Sequence, residues 1–412
     1  MNRVALVAGQ RTPFVKALTH FKDISAVDLA THAVNGLLDH TRIDPERVQE
    51  VQLGVVVVDP RVPHLGREVV FRSRLPASTR AVTVTDNCIT GTTAMMHLHD
   101  AIAFGRLEVG VAAGVESMSN TAILVSSRLA HALRDSQAER STRGKLGSFA
   151  QIRPKDLLPS TPGVEEPSTG LSMGEHTEIM VKTWKIARED QDALALRSHQ
   201  RAHAATEDGR LTAEIAPLAG LTRDTIVRAD TSIEKLARLK PVFDPENGSL
   251  TAGNSSPLTD GAAAVLLMSE ERAKADGLEP LAFIKDVEQA AIHPDDGLLM
   301  APGVAVPRLL QRNGLAFEDI GVIELHEAFA GQVLCNLAAW ERGWQEEPIG
   351  TIPTDKLNVT GGSIAIGHPF SATGLRIATT VANEMKRQNS RYGLLSICAA
   401  GAQGTAMLLE RP

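Results

Sequence analysis

The sequence predicts an α/β fold built from two similar halves, the first of which carries a long insertion. Three observations support this prediction. Apolar runs typical of strands alternate with stretches of helical spacing, a segment of the first half recurs near the end of the chain, and residues 120–250 interrupt the alternation. With 412 residues, the chain is long enough for two to three domains.

The first half supplies its elements in chain order. Residues 4–8 form a short apolar run that predicts a strand, and residues 26–39 repeat apolar side chains at helical spacing. A second strand is predicted at 51–56, a helix at 92–104 and a buried strand at 109–114. Such alternation is typical of a sheet covered by helices.

The middle of the chain has a different character. It carries charge clusters, prolines at positions 154, 159, 162 and 167, and a long polar helix predicted at 188–205. The alternation returns with an apolar run at 261–269. We therefore predict an insertion at residues 120–249.

A repeat links the two ends of the chain. Residues 33–53 align with residues 305–325 without a gap, and eight apolar positions coincide. Any helix–turn–strand unit shares part of such a pattern, but the ungapped match favours duplication. The AAG at 112–114 matches the AAG at 399–401 if the later half gains fifteen residues. The predicted units are an N-terminal half at 1–119, completed by 250–272, an inserted loop domain at 120–249, and a C-terminal half at 273–412.

The composition argues against several classes of function. The net charge of −7 gives no reason to expect a nucleic-acid partner, and aromatic residues, at 3%, are too few for a base-stacking platform. No apolar run reaches the roughly 18 residues of a membrane span. The first residues lack the apolar core of a signal peptide.

Three cysteines, Cys88, Cys335 and Cys398, are too few and too far apart for a disulfide framework. Without a C-x-x-C pair, a structural zinc site is not expected, and we expect no bound metal. A reducing compartment, the cytoplasm, is expected, and a free thiol can act there as a reagent. Cys335 falls inside a predicted helix and is expected to serve packing.

Cys88 is the first candidate nucleophile. It stands between a strand-like run and a helix of small residues in VTVTDNCITGTTAMM, where helix N–H groups favour a thiolate. A buried, inert cysteine is the commoner role. The polar, turn-like neighbours Asp86, Asn87 and Thr90 weaken that alternative, and the sequence leaves both open.

Further candidates lie in turns of the second half. His368, in GGSIAIGHPFSATG, is a candidate base or hydrogen-bond donor, although a solvated loop histidine would show the same pattern. Cys398 enters a small-residue turn that can present backbone N–H groups to an oxyanion. His326 and Glu327 follow a strand but lack the second histidine of H-E-x-x-H, which argues against a zinc hydrolase.

Together these segments resemble the thiolases, acyltransferases that make or cleave 3-ketoacyl-CoA. The motifs occur in the family's order over residues 4–410: VAGQRTPF, the Cys88 segment, TAGNSSPLTDGAAA, HEAFAGQ, GGSIAIGHPFSATG and CAAGAQG. The resemblance implies duplicated halves in a five-layer αβαβα core with an inserted loop domain, in homodimers or tetramers. His-Glu-Ala-Phe with Cys-Ala-Ala-Gly is most similar to the β subunit of the fatty-acid-oxidation trifunctional complex, which implies a hydratase/dehydrogenase α subunit as partner.

The resemblance also implies the roles of individual residues. Cys88 would be the acylated nucleophile, His368 its activating base, and Cys398 the acid and base for the leaving and entering groups. Backbone N–H groups of Cys88 and Ala400 would hold the tetrahedral intermediate. His326, where most thiolases carry asparagine, would hold the enolate oxygen together with His368, directly or through a water. Ala400 replaces a glycine common in the family.

Coenzyme A is expected as a co-substrate and not as a permanently bound cofactor. The resemblance implies that Arg228 lies beside the 3′-phosphate of its adenosine, Ser256 beside the pantetheine arm and Met173 near the acyl group. A surface salt bridge is the alternative role of Arg228.

The preferred function is a degradative 3-ketoacyl-CoA thiolase of fatty-acid β-oxidation. One alternative is a biosynthetic acetoacetyl-CoA thiolase that runs the reverse Claisen condensation. Another is a non-catalytic acyl-CoA or lipid carrier on the same scaffold. A carrier would typically lose a reacting residue, whereas Cys88, His368 and Cys398 are all present.

Overall fold

The structure, a computed structural model, describes residues 2–159 and 165–412, and its first half contains the predicted alternation. The first helix begins where the Ser25 side chain accepts a hydrogen bond from the Asp28 amide, and it ends at Arg42, whose φ of 54° is left-handed. The elements are β1 (Val4–Arg11), β2 (Val15–Lys16), α1 (Ala26–Thr41), β3 (Glu50–Gly54), α2 (Leu65–Arg72), β4 (Arg80–Val84), α3 (Thr90–Ala103) and β5 (Val109–Glu116).

The regular structure that is described within the insertion consists mostly of helices, joined by long irregular segments. The predicted long polar helix is present as its longest helix, and the proline at position 162 lies outside the described residues. The elements are α4 (Ser127–Ala138), α5 (Thr142–Gly147), β6 (Glu165–Glu166), β7 (Leu171–Ser172), α6 (Met173–Trp184), α7 (Arg188–Glu207) and α8 (Ile233–Ala237).

The rest of the chain restores the alternation. Its elements are β8 (Thr259–Ser269), α9 (Glu270–Ala275), β9 (Ala282–Ala291), α10 (Pro302–Asn313), β10 (Ile320–Leu325), α11 (Ala330–Arg342), α12 (Ser363–Ile366), α13 (Phe370–Gln388), β11 (Tyr392–Ala399) and β12 (Gln403–Glu410). No helix among the described residues is long and apolar enough to cross a membrane.

The large sheet confirms the predicted duplication. Its strand order is β10-β11-β12-β9-β1-β8-β5-β3-β4, with β2 beside β8. Outward from the contact between β9 and β1, each half has two antiparallel pairs and then one parallel pair: β1·β8·β5·β3 and β9·β12·β11·β10. The first half adds β4 at its edge, parallel to β3.

The strand register corrects one detail of the repeat. Leu53 pairs with Ala113 in the first half, and its counterpart Leu325 pairs with Ser396 in the second. Ala113 therefore corresponds to Ser396, whereas matching the two AAG segments placed it on Ala400. The AAG match was wrong because small residues recur in both strands for different reasons, close packing in β5 and a turn after β11.

Helices and sheet halves alternate in five layers. Helices α1 and α2 pack on the outer face of the first half, and α10 and α11 share a core with the outer face of the second. Between the halves lie α3 and α13, and α13 contacts strands of both. Fourteen of the nineteen residues of α13 are buried. This arrangement brings the turns after β4, β10 and β11 together with the start of α13.

Candidate active site

One cavity of about 240 Å³ collects most of the residues predicted from the sequence. Six of the eight line it directly: Cys88, Met173, Ser256, His368, Cys398 and Ala400. Much of the remaining wall is apolar and comprises Phe243, Leu258, Leu299, Ala328, Phe329 and Phe370. The other two predicted residues lie nearby, His326 against the ring of His368 and Arg228 on a neighbouring cavity.

The turn that carries Cys88 is tied to the turn that carries Ala400. Cys88 lies in a 3-10 turn, Asn87–Ile89, directly before α3. Asn87 adopts a left-handed φ of 47°, and its Nδ2 donates to the Ala400 carbonyl over 3.0 Å. On the far side of that turn, the Gly401 amide donates to Glu166 over 2.8 Å. The backbone amide of Ala400 is close enough to the Cys88 thiol to lower its pKa.

His368 faces Cys88 with the nitrogen that a base requires. Its Nε2 lies 3.3 Å from the Cys88 Sγ, and its Nδ1 lies 2.8 Å from the Thr373 Oγ1. The Thr373 hydroxyl already donates to the Pro369 carbonyl over 2.9 Å, so it accepts from His368 Nδ1–H. Nε2 is then unprotonated and can accept the thiol proton.

The resting pair is neutral, which corrects the expectation of a thiolate at Cys88. Burial raises the pKa of the Cys88 thiol to about 12, against a smaller opposite effect of the Ala400 amide. Burial, helped by the positive charge of Arg376, lowers the pKa of His368 to about 3. The helix start favours a thiolate less strongly than loss of water disfavours it.

Cys398 lies at the end of β11 and reaches the same cavity from the opposite half. Burial, with a further contribution from Cys88, raises its pKa well above the usual value. Both cysteines therefore hold their protons at rest and can give them up only to a partner in the cavity.

His326 and Glu327 point to different partners. The His326 ring centroid lies 4.1 Å from that of His368, and its Nδ1 lies 2.9 Å from the Ser363 Oγ. Glu327 instead accepts hydrogen bonds from Ser198, Asn358 and the Ile364 amide, all outside the cavity. Glu327 therefore fixes the turn at the start of α12 and is not placed to react.

A second cavity of about 520 Å³ adjoins the first. The two share Phe243, Ser255, Ser256 and Leu258. Two cations, Lys16 and Arg228, line the second cavity, and neither forms a salt bridge within the described residues. The Arg228 backbone N–H donates to His199 Nδ1 over 3.2 Å, which fixes its position. Arg228 therefore does not form, with any described residue, the surface salt bridge that was its alternative role.

Sequence reasoning missed the residues that orient the reacting groups. Thr373 lies five positions after His368, a spacing visible in the sequence but uninformative without the hydroxyl's second partner. Phe243 and Phe329 meet edge to face across the cavity, with ring centroids 5.9 Å apart, and no local pattern signals that contact. Within the described residues, no cluster of three or more His, Cys, Asp or Glu side chains could hold a metal ion.

Comparisons with known proteins show similarity along nearly the whole chain. Family models described as "Thiolase, N-terminal domain" and "Thiolase, C-terminal domain" match residues 4–271 and 278–411. The 3-ketoacyl-CoA thiolases of Shewanella woodyi and Shewanella pealeana are each 44% identical over 422 residues, covering 99% of this chain and 97% of theirs.

Solved structures show the same similarity across the fold. The acetyl-CoA acetyltransferase of Bacillus anthracis superposes with a TM-score of 0.86 at 30% identity, covering 100% of this chain and 99% of that one. Human mitochondrial 3-ketoacyl-CoA thiolase in complex with CoA superposes with a TM-score of 0.85 at 30% identity, covering 100% and 98%.

Proposed function

Because the chain belongs to the thiolase family, we propose that it is a 3-ketoacyl-CoA thiolase of fatty-acid β-oxidation. The enzyme cleaves a 3-ketoacyl-CoA with free CoA and yields acetyl-CoA and an acyl-CoA shortened by two carbons. The observation that carries the proposal is the pairing of Cys88 Sγ with the unprotonated Nε2 of His368 over 3.3 Å. A thiol beside a fixed base is the arrangement that covalent acyl transfer requires.

The first step forms a carbon–sulfur bond. His368 Nε2 accepts the thiol proton as the Cys88 sulfur attacks the 3-keto carbon. The negative charge moves onto the keto oxygen, where the backbone N–H groups of Cys88 and Ala400 stabilise it. A well-placed donor of this kind contributes about 3 kcal/mol in comparable sites.

The second step breaks the carbon–carbon bond. The oxyanion collapses to an acyl thioester on Cys88, and acetyl-CoA departs as an enolate. The enolate oxygen receives hydrogen bonds from His326 and from the now protonated His368, while Cys398 donates its proton to the carbanion. Free CoA then transfers its thiol proton to Cys398 and attacks the thioester. Cys88 leaves as a thiolate and recovers its proton from His368.

The two cavities suit the two parts of the substrate. Lys16 and Arg228 lie where the phosphates of CoA would bind, and Ser256 lies at the boundary that the pantetheine arm would cross. Met173 and the surrounding apolar wall accept the acyl chain. We assign CoA and chain binding to the insertion at residues 120–249, which contributes Met173 and Arg228, acting together with Lys16 and Ser256 of the first half (1–119 with 250–272); the second half is 273–412.

Partners beyond the substrates belong to the same proposal. We place the enzyme in the cytoplasm as a homodimer or tetramer, with a hydratase/dehydrogenase α subunit as a further partner. Support comes from large apolar side chains that the insertion exposes: Ile123, Leu146 and Leu158 are 70%, 72% and 68% exposed. Such surfaces commonly mark protein interfaces.

The proposal is tested by trapping the acyl enzyme. The protein is mixed with 3-ketooctanoyl-CoA without free CoA, quenched in acid and analysed by peptide mass spectrometry. We expect a hexanoyl mass on the Cys88 peptide and release of acetyl-CoA, both absent in Cys88→Ala. The matched control is Cys335→Ala, because Cys335 is a buried free thiol outside the cavity. A hexanoyl group on another residue, or none at all, would overturn the proposal.

A further inference from the structure

The buried side chain of His326 has one ring nitrogen without a hydrogen-bond partner. His326 is only 1% exposed, its Nδ1 is bonded to Ser363, and its Nε2 has no hydrogen-bond partner among the described residues. A buried, unpaired ring nitrogen is costly. Such a cost is tolerated in a reaction site when the group is needed during catalysis. It therefore matters whether His326 Nε2 carries a proton and can donate, or lacks one and can only accept.

The Ser363 hydroxyl group has one hydrogen to donate and two hydrogen-bond partners. Arg376 Nη2 lies 3.3 Å from its oxygen, and a guanidinium can only donate, so one lone pair of Ser363 is occupied. The sole remaining partner of Ser363 Oγ in the described part of the chain is His326 Nδ1. The Ser363 hydroxyl hydrogen therefore has His326 Nδ1 as its acceptor.

The opposite assignment leaves more groups unsatisfied. If Ser363 accepted a hydrogen bond from His326 Nδ1–H, its own hydroxyl hydrogen would have no acceptor and His326 Nε2 would be a bare, buried acceptor. With Ser363 as donor, a single group remains open, the Nε2–H of His326. Hydrogen-bond satisfaction thus selects the tautomer with the proton on Nε2.

The position of Ser363 is itself fixed. Arg376, on α13, forms a fully buried ion pair with Glu324 of β10, two residues before His326. Ser363 begins α12, whose start is held by Glu327 through the Ile364 amide. The donor geometry is therefore set by three elements, β10, α12 and α13, together with the turn that carries Glu327, and not by Ser363 alone.

We propose that Ser363, held by Arg376, is a positioning residue that keeps His326 in the Nε2–H tautomer and so presents a hydrogen-bond donor to the enolate oxygen. The inference rests on the proposed function and names what that function requires from a residue outside the cavity. Thr373 sets the opposite tautomer on His368. Two adjacent imidazoles thus perform different tasks, one as base and one as donor, because different hydroxyl groups hold their Nδ1 atoms.

The first test removes the hydroxyl group. Ser363→Ala should lower kcat about 10-fold with little change in KM, because a released His326 ring divides between tautomers and orientations and presents its Nε2–H to the enolate only part of the time. Ser363→Thr, which keeps a hydroxyl, should recover most of the rate. The control is Ser396→Ala, another buried serine whose hydroxyl donates only to a strand carbonyl, Thr405, over 2.8 Å. An unchanged kcat in Ser363→Ala would overturn the inference.

The second test asks whether the effect passes through His326. An asparagine at 326 has amide donors and no tautomers, so Ser363→Ala should change kcat less than about threefold in a His326→Asn background. Nitrogen-15 spectra of labelled histidine, assigned with the His326 variant, should show a proton on Nε2 in the unmodified protein and mixed tautomers in Ser363→Ala. A full Ser363 effect in the double variant, or a proton on Nδ1 in the unmodified protein, would contradict the relay.

These outcomes separate the inference from the proposed function. If the function is wrong, the unmodified protein neither cleaves 3-ketoacyl-CoA nor acylates Cys88. If only the inference is wrong, acylation of Cys88 remains and Ser363→Ala turns over normally.

Discussion

The sulfur of Cys88, the proposed nucleophile, is held as a thiol. A pKa raised to about 12 by burial, beside a His368 whose pKa is lowered to about 3, keeps the proton on sulfur until a substrate oxygen can receive negative charge. A thiol is less readily oxidised than a thiolate. The site therefore combines a protected resting state with a base already in hydrogen-bond contact.

The stored thiol can be seen by ultraviolet absorbance, because thiolates absorb where thiols do not. The difference between the unmodified protein and Cys88→Ala should show no thiolate at neutral pH. The signal should appear only as the pH rises toward about 12. A thiolate present at neutral pH would mean that an ion pair with His368 already exists at rest. Cys335→Ala serves as the control. Its difference spectrum should also show no thiolate at neutral pH, because burial raises the pKa of the Cys335 thiol to about 12 as well.

Residues with a reactive group could be predicted, but their supports could not. Cys88, His368 and Cys398 stand in turns rich in small residues, and the structure places all three on one cavity. Nothing in the sequence around Ser363 and Arg376 distinguishes them from other polar residues of helices. Their importance depends on partners brought together by folding, such as Glu324, which is 52 positions from Arg376.

At the scale of elements, β5 ends at a buried carboxyl group, Glu116, near the site. Glu116 accepts hydrogen bonds from the amides of Val56 and Val57 over 2.6 and 3.2 Å, and so holds the loop after β3. Burial raises its pKa to about 7 despite these donors. Folding therefore favours the protonated form, and the stability that this form contributes is lost as the pH rises through about 7.

Glu116→Gln should remove that pH dependence. The free energy of unfolding of the unmodified protein, minus that of the variant, should fall by on the order of 2 kcal/mol between about pH 5 and about pH 8. Urea unfolding at several pH values measures the difference. A difference that grows with pH would show that the carboxylate form is the one that the fold stabilises.

Periodicity predicted the regular elements well and the register poorly. The helices at 26–39 and 92–104 are present as Ala26–Thr41 and Thr90–Ala103, because a repeating apolar face reports burial directly. The AAG match failed because small residues carry no information about which neighbour they pair with. Within the insertion, short helices such as α5 and α8 bury few of their residues and leave little apolar pattern.

At the scale of the molecule, the two halves share α13. This helix belongs to the second half in the chain, yet it packs on β1, β5 and β8 of the first half as well as on β10 and β11. The duplication visible in the sequence therefore does not imply two independent folding units. The sheet itself is continuous through the pairing of Val4–Leu6 with residues 282–284.

Separating the halves should expose this dependence. A fragment of residues 278–412, cut in the connection between α9 and β9, should lack a cooperative thermal transition and bind a hydrophobic dye, because one face of α13 loses its cover. Co-expression with residues 1–277 should restore acylation of Cys88. Calorimetry and dye fluorescence of the fragment, compared with the full chain, measure the effect. A sharp melting transition of the isolated fragment would show that the halves fold alone.

The wall shared by the two cavities has a kinetic consequence. In the proposed mechanism, a CoA molecule bound at Lys16 and Arg228, with its pantetheine arm across Ser256, occupies the approach by which the next CoA would reach Cys88. Acetyl-CoA must then depart before free CoA can arrive, so the enzyme alternates between two forms in ping-pong order. During each exchange the fatty chain stays attached to sulfur, and water competes for it. Productive turnover therefore requires that free CoA binds and reacts faster than water hydrolyses the acyl thioester.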